Sequence, residues 1–208
     1  MPLAIDRHTI VIGRKNGLNK FRIISANEGQ GKETTPKSGE DGMEDVSTSA
    51  ASATPTLIEF DQTSMYAKSA IGLWHNYFRG VVAQFAANGH NVPFFDVAIR
   101  GNVPLGGGLS SSASLQVATA AFLQSLMNVP LDPIQRALWC QKCEHEYCGV
   151  PCGVMDQFIS SMAEKDHVML LDCRSLVRRA RNENNDILDL WAKKQAKSPF
   201  TSLTSHAC

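Results

Sequence analysis

The sequence predicts an α+β fold in which a mixed β-sheet packs against helices, and three observations favour it. Residues 9–12 and 21–24 are β-rich runs joined by a turn-forming segment, so they predict a hairpin. Apolar residues recur at helical spacing between residues 69 and 87, which predicts an amphipathic helix. Residues 57–60 predict another strand, and a further strand-like run at residues 94–100 leads through a glycine-rich stretch into a long helical pattern.

Composition and charge exclude several classes of partner. The chain carries 20 Lys and Arg against 20 Asp and Glu, so no bulk positive charge favours nucleic acid or an anionic membrane. No apolar run approaches the ~20 residues of a membrane-spanning helix, and Asp6, Arg7 and His8 interrupt any signal-peptide core. We therefore expect a cytoplasmic protein that binds a small molecule or another protein and keeps its six cysteines as free thiols.

The chain divides into one predicted domain and two segments of different composition. Residues 28–56 are rich in small, polar and charged residues, so they are predicted to be a disordered surface insertion. The rest of residues 1–176 is predicted to form the domain. Residues 177–208 are mixed in charge and weakly periodic, so we expect a divergent, poorly ordered tail.

The second half of the predicted domain is mainly helical. Asp132 and Pro133 have the residue types of an N-cap and a first helical position, and the helix that they open is predicted to run to about Tyr147. A short helix follows at residues 154–163, and an apolar run at residues 167–172 predicts a buried strand.

The most informative stretch joins the strand-like run at residues 94–100 to the long helical pattern that follows it. Gly106, Gly107 and Gly108 can adopt positive φ and expose backbone N–H groups. Ser110 and Ser111 then begin a helix whose first N–H groups lack internal partners, so an anion placed there meets the positive end of the helix dipole. The stretch therefore predicts a phosphate-binding loop, although it lacks the lysine of a P-loop and the last glycine of a dinucleotide fingerprint. The alternative is a capped glycine turn without a ligand.

Cysteines near the end of the helix that opens at Asp132 offer a rival site. Cys140 and Cys143 form a Cys-x-x-Cys pair, and Cys148, Cys152 and His145 complete a donor set that zinc can bind. However, the first pair lies on a predicted helix and the second pair lacks Cys-x-x-Cys spacing, so we favour buried free thiols.

Asp156 opens the short predicted helix beside a glycine. From the residue type alone, capping that helix is the more common role of such an aspartate. A general base is the alternative, because a carboxylate can accept the proton of a reacting hydroxyl group.

Residues 104–113 resemble the second, phosphate-binding motif of the GHMP small-molecule kinases, and their sequence is most similar to that motif in the galactokinases. Further blocks of the chain resemble galactokinases in the same order; they are residues 74–77, 143–145, 151–158 and 171–176. The resemblance implies a GHMP-type N-terminal domain and the ATP-dependent phosphorylation of the anomeric hydroxyl of galactose. It also implies that the complete fold is a cytoplasmic monomer.

The resemblance assigns roles to individual residues. Trp74 and Tyr77 would form a wall of the adenine pocket, although core packing is the more common role of such aromatics. Ser110 and Glu144 would hold Mg²⁺, which prefers oxygen ligands. Asp156 would be the catalytic carboxylate, and the backbone of the neighbouring Gly153 would approach the sugar.

The chain also departs from the galactokinase pattern. The family's upstream motif, which supplies most sugar contacts and a catalytic arginine, has no counterpart in this sequence, and neither does its C-terminal glycine-rich motif. We therefore expect the phosphoryl transfer activity of this chain to be weak or absent. The alternative function is a catalytically inactive, galactokinase-like nucleotide sensor or interaction module.

Overall fold

The computed structural model describes residues 2–27, 55–65 and 73–174, together with the backbone of short strands between residues 177 and 206. Nearly all of the predicted insertion, and most of the predicted tail, lie outside the described residues. None of the described helices combines the length and apolarity needed to cross a membrane.

The described strands form two sheets, which gives the predicted α+β class. The strands are β1 (His8–Lys15), β2 (Phe21–Ser25), β3 (Leu57–Phe60), β4 (Phe95–Gly101), β5 (Val168–Asp172), β6 (Val177–Arg181), β7 (Ile187–Leu188) and β8 (Thr204–His206). The larger sheet is mixed and has the order β3-β2-β4-β1-β8, while β5, β6 and β7 form a small antiparallel sheet.

The predicted hairpin of β1 and β2 is wrong, because β4 lies between them. β1 pairs with β4 in antiparallel fashion, whereas β2 pairs with β4 in parallel. The connection between β1 and β2 instead passes the start of β4, where the backbone N–H of Asn16 donates to the carbonyl of Phe94 at 3.1 Å. The Asn16 side chain also donates to Asp96 at 2.8 Å. The turn is therefore held by β4, the strand that lies between β1 and β2.

The described helices lie where the apolar periodicity places them. They are α1 (His75–Ala87), α2 (Ser111–Met127), α3 (Pro133–Cys143) and α4 (Met155–Met162). α3 does not continue as an α-helix to Tyr147 as predicted, because the chain forms a π-helical turn at Glu144–Cys148. Single π-helical turns of this kind are frequent at functional sites.

The core lies between the larger sheet and helices α1 and α2. Phe95 of β4 is fully buried at the centre of this core. The centroid of its ring lies 6.0 Å from that of Phe78 on α1 and 5.4 Å from that of Phe122 on α2. Aromatic rings at these distances pack edge to face and bury a large apolar area. The two helices are therefore fixed against the same face of the sheet.

Polar contacts tie α2 to the larger sheet and join three of the helices to one another. The hydroxyls of Thr9 and Ser114 are hydrogen-bonded at 2.9 Å, which ties β1 to the first turn of α2. The guanidinium of Arg136 on α3 donates to Ser161 Oγ at 2.9 Å and to Gln124 Oε1 at 3.0 Å. Because these partners lie on α4 and α2, one half-buried side chain joins three helices.

The predicted N-cap of α3 is confirmed and gives a testable prediction. Asp132 accepts hydrogen bonds from the backbone N–H groups of Ile134 at 2.8 Å and Gln135 at 3.4 Å. Replacing Asp132 with alanine should lower the free energy of unfolding by about 1 kcal/mol, because these donors lose their partner. Urea denaturation measures this change. Asp132→Ser, which keeps an accepting oxygen, should retain most of the stability, and equal losses in both variants would contradict the capping role.

Candidate active site

The glycine-rich loop between β4 and α2 has the backbone conformation that the sequence predicts. Gly106 and Gly108 have φ of 71° and 69°, and nothing lies within 4 Å of the position that a Cβ would occupy on either residue. These glycines are therefore required by backbone conformation and border open space. Gly107 is exposed as well, so all three can be approached by a ligand.

The start of α2 is arranged to receive an anion. Ser110 precedes the helix in a left-handed conformation, with φ of 55° and ψ of 42°, and its side chain makes no capping hydrogen bond. The helix N-terminus therefore keeps backbone N–H groups that this serine does not cap, at the positive end of the helix dipole. Ser111 follows as the first residue of the helix and is half-buried.

A cavity of about 130 Å³ adjoins this helix start. Its walls come from the start of α1, the glycine-rich loop, the first turns of α2 and the ends of strands β1, β2 and β4. The lining residues are Thr9, Ser25, Asn27, Trp74, Ile99, Gly101, Val103, Leu105, Ser111 and Leu115. The structure thus brings Trp74 and Ser111 to one cavity, as expected for a base-binding wall beside a phosphate-binding loop.

Tyr77 does not line this cavity, although it was predicted to share a wall with Trp74. Its phenol lies near the other predicted site residues. Burial raises the pKa of Tyr77 to about 12, and the nearby Cys148 and Glu144 contribute to the same direction. The adenine-binding roles of Tyr77 and Trp74 both stay predictions, and of the two only Trp74 lines this cavity.

Glu144 is a buried carboxylate at the start of the π-helical turn. Only 5% of the residue is exposed, and burial raises the pKa of its carboxyl group. Hydrogen bonds with Ser112, Cys152 and Gln157 act in the opposite direction. Among the residues that the structure describes, no basic side chain forms an ion pair with Glu144. A buried carboxylate that has only neutral donors is a suitable ligand for a hard cation.

Ser112 is a site residue that the sequence analysis did not single out. Its side chain forms a hydrogen bond with Glu144, whereas Ser110, the predicted magnesium ligand, lies before the helix start. Three successive serines are equivalent in sequence, and only the helix geometry determines which hydroxyl faces Glu144. Gln157 was also missed, because helical periodicity draws attention to apolar residues on a buried face.

Asp156 is half-buried in the first turn of α4, close enough to Glu144 for its charge to raise the pKa of that carboxyl group. The N-cap of α4 is Val154, so Asp156 is not the capping residue. Its negative charge is still favourable near the positive end of the helix dipole. The structure therefore brings Ser112, Glu144 and Asp156 together, although they are distant in sequence.

The loop before α4 is held by several backbone contacts. Gly149 ends the π-helical turn with φ of 70°, and the backbone N–H of Val150 donates to the carbonyl of Glu144 at 3.1 Å. A ring nitrogen of His145 lies 2.8 Å from the carbonyl oxygen of Cys152. Gly153 is exposed, with nothing within 4 Å of a Cβ position, so a ligand can approach its backbone.

The zinc alternative is not supported by this arrangement. Cys140, Cys143 and Cys148 are buried free thiols, and burial raises the pKa of Cys140 to about 12. In the described part of the chain, which contains these cysteines with Cys152 and His145, no group of three or more metal-binding side chains is assembled. The thiols therefore behave as small apolar core residues.

Known proteins match the part of the chain that contains the candidate site. The family described as GHMP kinases N terminal domain matches residues 76–164. The chain is 38% identical to the galactokinase of Homo sapiens over 178 residues, which are 85% of this chain and 39% of that protein. The segment that matches the family, residues 76–164, contains the glycine-rich loop, Glu144 and Asp156.

Solved structures give the same fold. A crystal structure of Lactococcus lactis galactokinase complexed with galactose matches 86% of this chain with a TM-score of 0.69 and 26% identity. The mevalonate kinase of Methanococcus jannaschii matches 88% with a TM-score of 0.55, and at 11% identity it shows the fold alone. The chain spans about two fifths of the length of the galactokinases that it matches.

Proposed function

We propose that this chain, which carries the N-terminal domain of the GHMP kinase family, acts in the transfer of the γ-phosphoryl group of ATP to the anomeric hydroxyl of galactose. One observation carries the proposal. The loop and first turn of α2, Glu144 and Asp156 converge at one place in the fold, as phosphoryl transfer requires. The proposed substrate, galactose, is inferred from the relatives that are named galactokinase.

The nucleotide would bind along the start of α2. The backbone N–H groups of Gly106, Gly107 and Gly108, with those of Ser110 and Ser111, would donate to phosphate oxygens at the positive end of the helix dipole. The cavity beside this helix, with Trp74 in its wall, would receive the adenine ring.

Mg²⁺ fits the oxygen donors of this site. Glu144 offers a carboxylate that has no basic partner among the described residues, and the hydroxyls of Ser110 and Ser112 are the serine candidates. When bound, the cation would supply positive charge that neutralises the charge developing on the phosphate during transfer. The hydrogen bond between Ser112 and Glu144 makes Ser112 a second candidate beside the predicted ligand Ser110.

Asp156 would act on the acceptor. Its side chain is half-buried in the first turn of α4, near Glu144, where it would accept the proton of the sugar hydroxyl or orient that hydroxyl for attack. The open backbone of Gly153, three residues earlier, would contact the sugar. Because positive and negative charges are balanced in the chain, we propose that the reaction needs no nucleic-acid or membrane partner. We also propose that it takes place in the cytoplasm.

Two measurements on the same purified chain test the proposal. Calorimetry with ATP and Mg²⁺ should show binding that weakens when Mg²⁺ is omitted. Incubation with γ-labelled ATP and galactose should then give slow formation of galactose 1-phosphate. Failure to bind ATP would contradict the proposal. Binding of ATP with no transfer of label would favour the inactive nucleotide sensor instead.

A further inference from the structure

A buried glutamine beside the candidate active site has no role in the proposed reaction. Gln157 lies on α4 directly after Asp156 and is only 1% exposed. Its side-chain nitrogen donates a hydrogen bond to Oε2 of Glu144 at 2.8 Å and lies 3.7 Å from the sulfur of Cys152. The side chain therefore contacts the carboxylate that is proposed to bind the cation.

The surroundings of Gln157 make its amide a rigid donor. The next residues of α4, Phe158 and Ile159, are buried in an apolar cluster with Ala137 of α3 and Met169 of β5. Ser161 of the same helix is hydrogen-bonded to the guanidinium of Arg136. A donor on such a helix has little freedom to move. The other hydrogen-bond partners of Glu144, Ser112 and Cys152, are only half-buried. Gln157 is therefore the most deeply buried of the three.

The other end of the same amide is poorly satisfied. The carbonyl oxygen of Gln157 is buried and has no hydrogen-bond partner among the described residues. An unpaired buried carbonyl costs free energy, and an apolar residue of similar shape would avoid that cost. The glutamine is thus not the choice that stability alone favours. Unlike an apolar residue, Gln157 provides a hydrogen-bond donor to Glu144.

We propose that Gln157 is a positioning residue that holds the Glu144 carboxylate in the orientation in which it binds a divalent cation. This inference rests on the proposed function, because it assumes that Glu144 is a cation ligand. Hydrogen-bond partners of this kind orient metal-binding side chains, and their loss typically weakens metal binding 10- to 100-fold. Because Gln157 follows Asp156 on one helical turn, the same contact also ties α4 to Glu144.

A second glutamine–glutamate pair provides a matched control. Gln84 of α1 is 2% exposed, donates to Oε2 of Glu146 at 3.0 Å, and also has a buried carbonyl without a partner among the described residues. Glu146 is two residues after Glu144 on the same π-helical turn, but it is exposed. Gln84→Met and Gln157→Met therefore remove equivalent hydrogen bonds, of which only the second involves the proposed ligand.

The experiment measures the affinity for Mn²⁺ by electron paramagnetic resonance, with ADP held at one fixed concentration. Gln157→Met should bind Mn²⁺ about 10- to 100-fold more weakly than the unsubstituted chain. Gln84→Met should bind it equally well. The affinity of each variant for ADP without a cation should be unchanged, which separates cation binding from a general loss of structure. If Gln157→Met does not fold, Gln157→Asn, whose shorter side chain cannot reach Glu144, replaces it.

The outcomes separate this inference from the proposed function. If the unsubstituted chain binds no Mn²⁺, or if Glu144→Gln binds it normally, the proposed cation site is wrong and the inference falls with it. If Glu144→Gln abolishes binding but Gln157→Met does not weaken it, the cation site stands and the positioning role is overturned. An equal loss in Gln84→Met also overturns it, because the effect would then be general.

Discussion

Replacing Asp156 with asparagine should lower the rate of phosphoryl transfer to galactose about 10²- to 10⁴-fold, the usual contribution of a positioned acid or base. Asparagine has nearly the same shape as aspartate but cannot accept the proton of the sugar hydroxyl at neutral pH. Asp156 is not the N-cap of α4, so the substitution should leave the helix in place. The rate is measured as transfer of label from γ-labelled ATP to galactose.

The control for this substitution is Asp132→Asn, which changes another aspartate at a helix start. Asp132 caps α3, and asparagine is an equally good N-cap, so neither stability nor transfer should change. Calorimetry should show that Asp156→Asn still binds ATP. A transfer rate in Asp156→Asn equal to that of the unsubstituted chain would contradict the catalytic role.

Replacing Phe95 with alanine should lower the free energy of unfolding by about 3–5 kcal/mol, which is typical for removal of a large buried aromatic. The Phe95 ring is fully buried, and its centroid lies 4.9 Å from that of Phe21 as well as near the rings contributed by α1 and α2. The cavity left behind would loosen the sheet against both helices. Urea denaturation measures the loss, which is a large fraction of the stability of an ordinary domain.

The neighbouring Phe94 is a matched control. It is the same residue type and its ring lies 4.8 Å from that of Phe21, but it is only half-buried. Phe94→Ala should therefore cost clearly less than Phe95→Ala, because less apolar area is returned to water. If the two substitutions cost the same, Phe95 would not be the centre of the core.

Local features of the fold could be predicted because each depends on a few adjacent residues. The positive φ of Gly106 and Gly108 and the Asp132 cap follow from residue types and short spacings. The left-handed conformation of Ser110, which makes no side-chain capping bond, was not predicted. The loop between β4 and α2 was predicted on this basis, and its backbone conformation is confirmed.

The order of the strands could not be predicted in the same way. A turn composition between two β-rich runs favours a hairpin, but the pairing of both runs with β4 depends on contacts across more than 70 residues. The π-helical turn was also missed, since apolar periodicity hardly distinguishes it from a continuing α-helix. That turn decides where Glu144 lies relative to α2 and α4.

The candidate site was only partly accessible from sequence. The resemblance to galactokinases led to Glu144 and Asp156, and the structure brings them close together. It did not distinguish Ser112 from Ser110, because adjacent serines differ only in the direction that the helix gives them. Gln157 could have been suspected from one signal: it is polar but falls on the buried face of a short helix, next to Phe158.

The central claim is that the loop and first turn of α2 bind the phosphates of a nucleotide, and NMR of the backbone amides tests it most directly. On titration with ADP and Mg²⁺, the largest amide shift changes should fall on Gly106, Gly107, Gly108, Ser110 and Ser111. The indole N–H of Trp74, in the adjoining cavity, should also respond. Shift changes confined to other parts of the chain, or none at millimolar ADP, would contradict the claim.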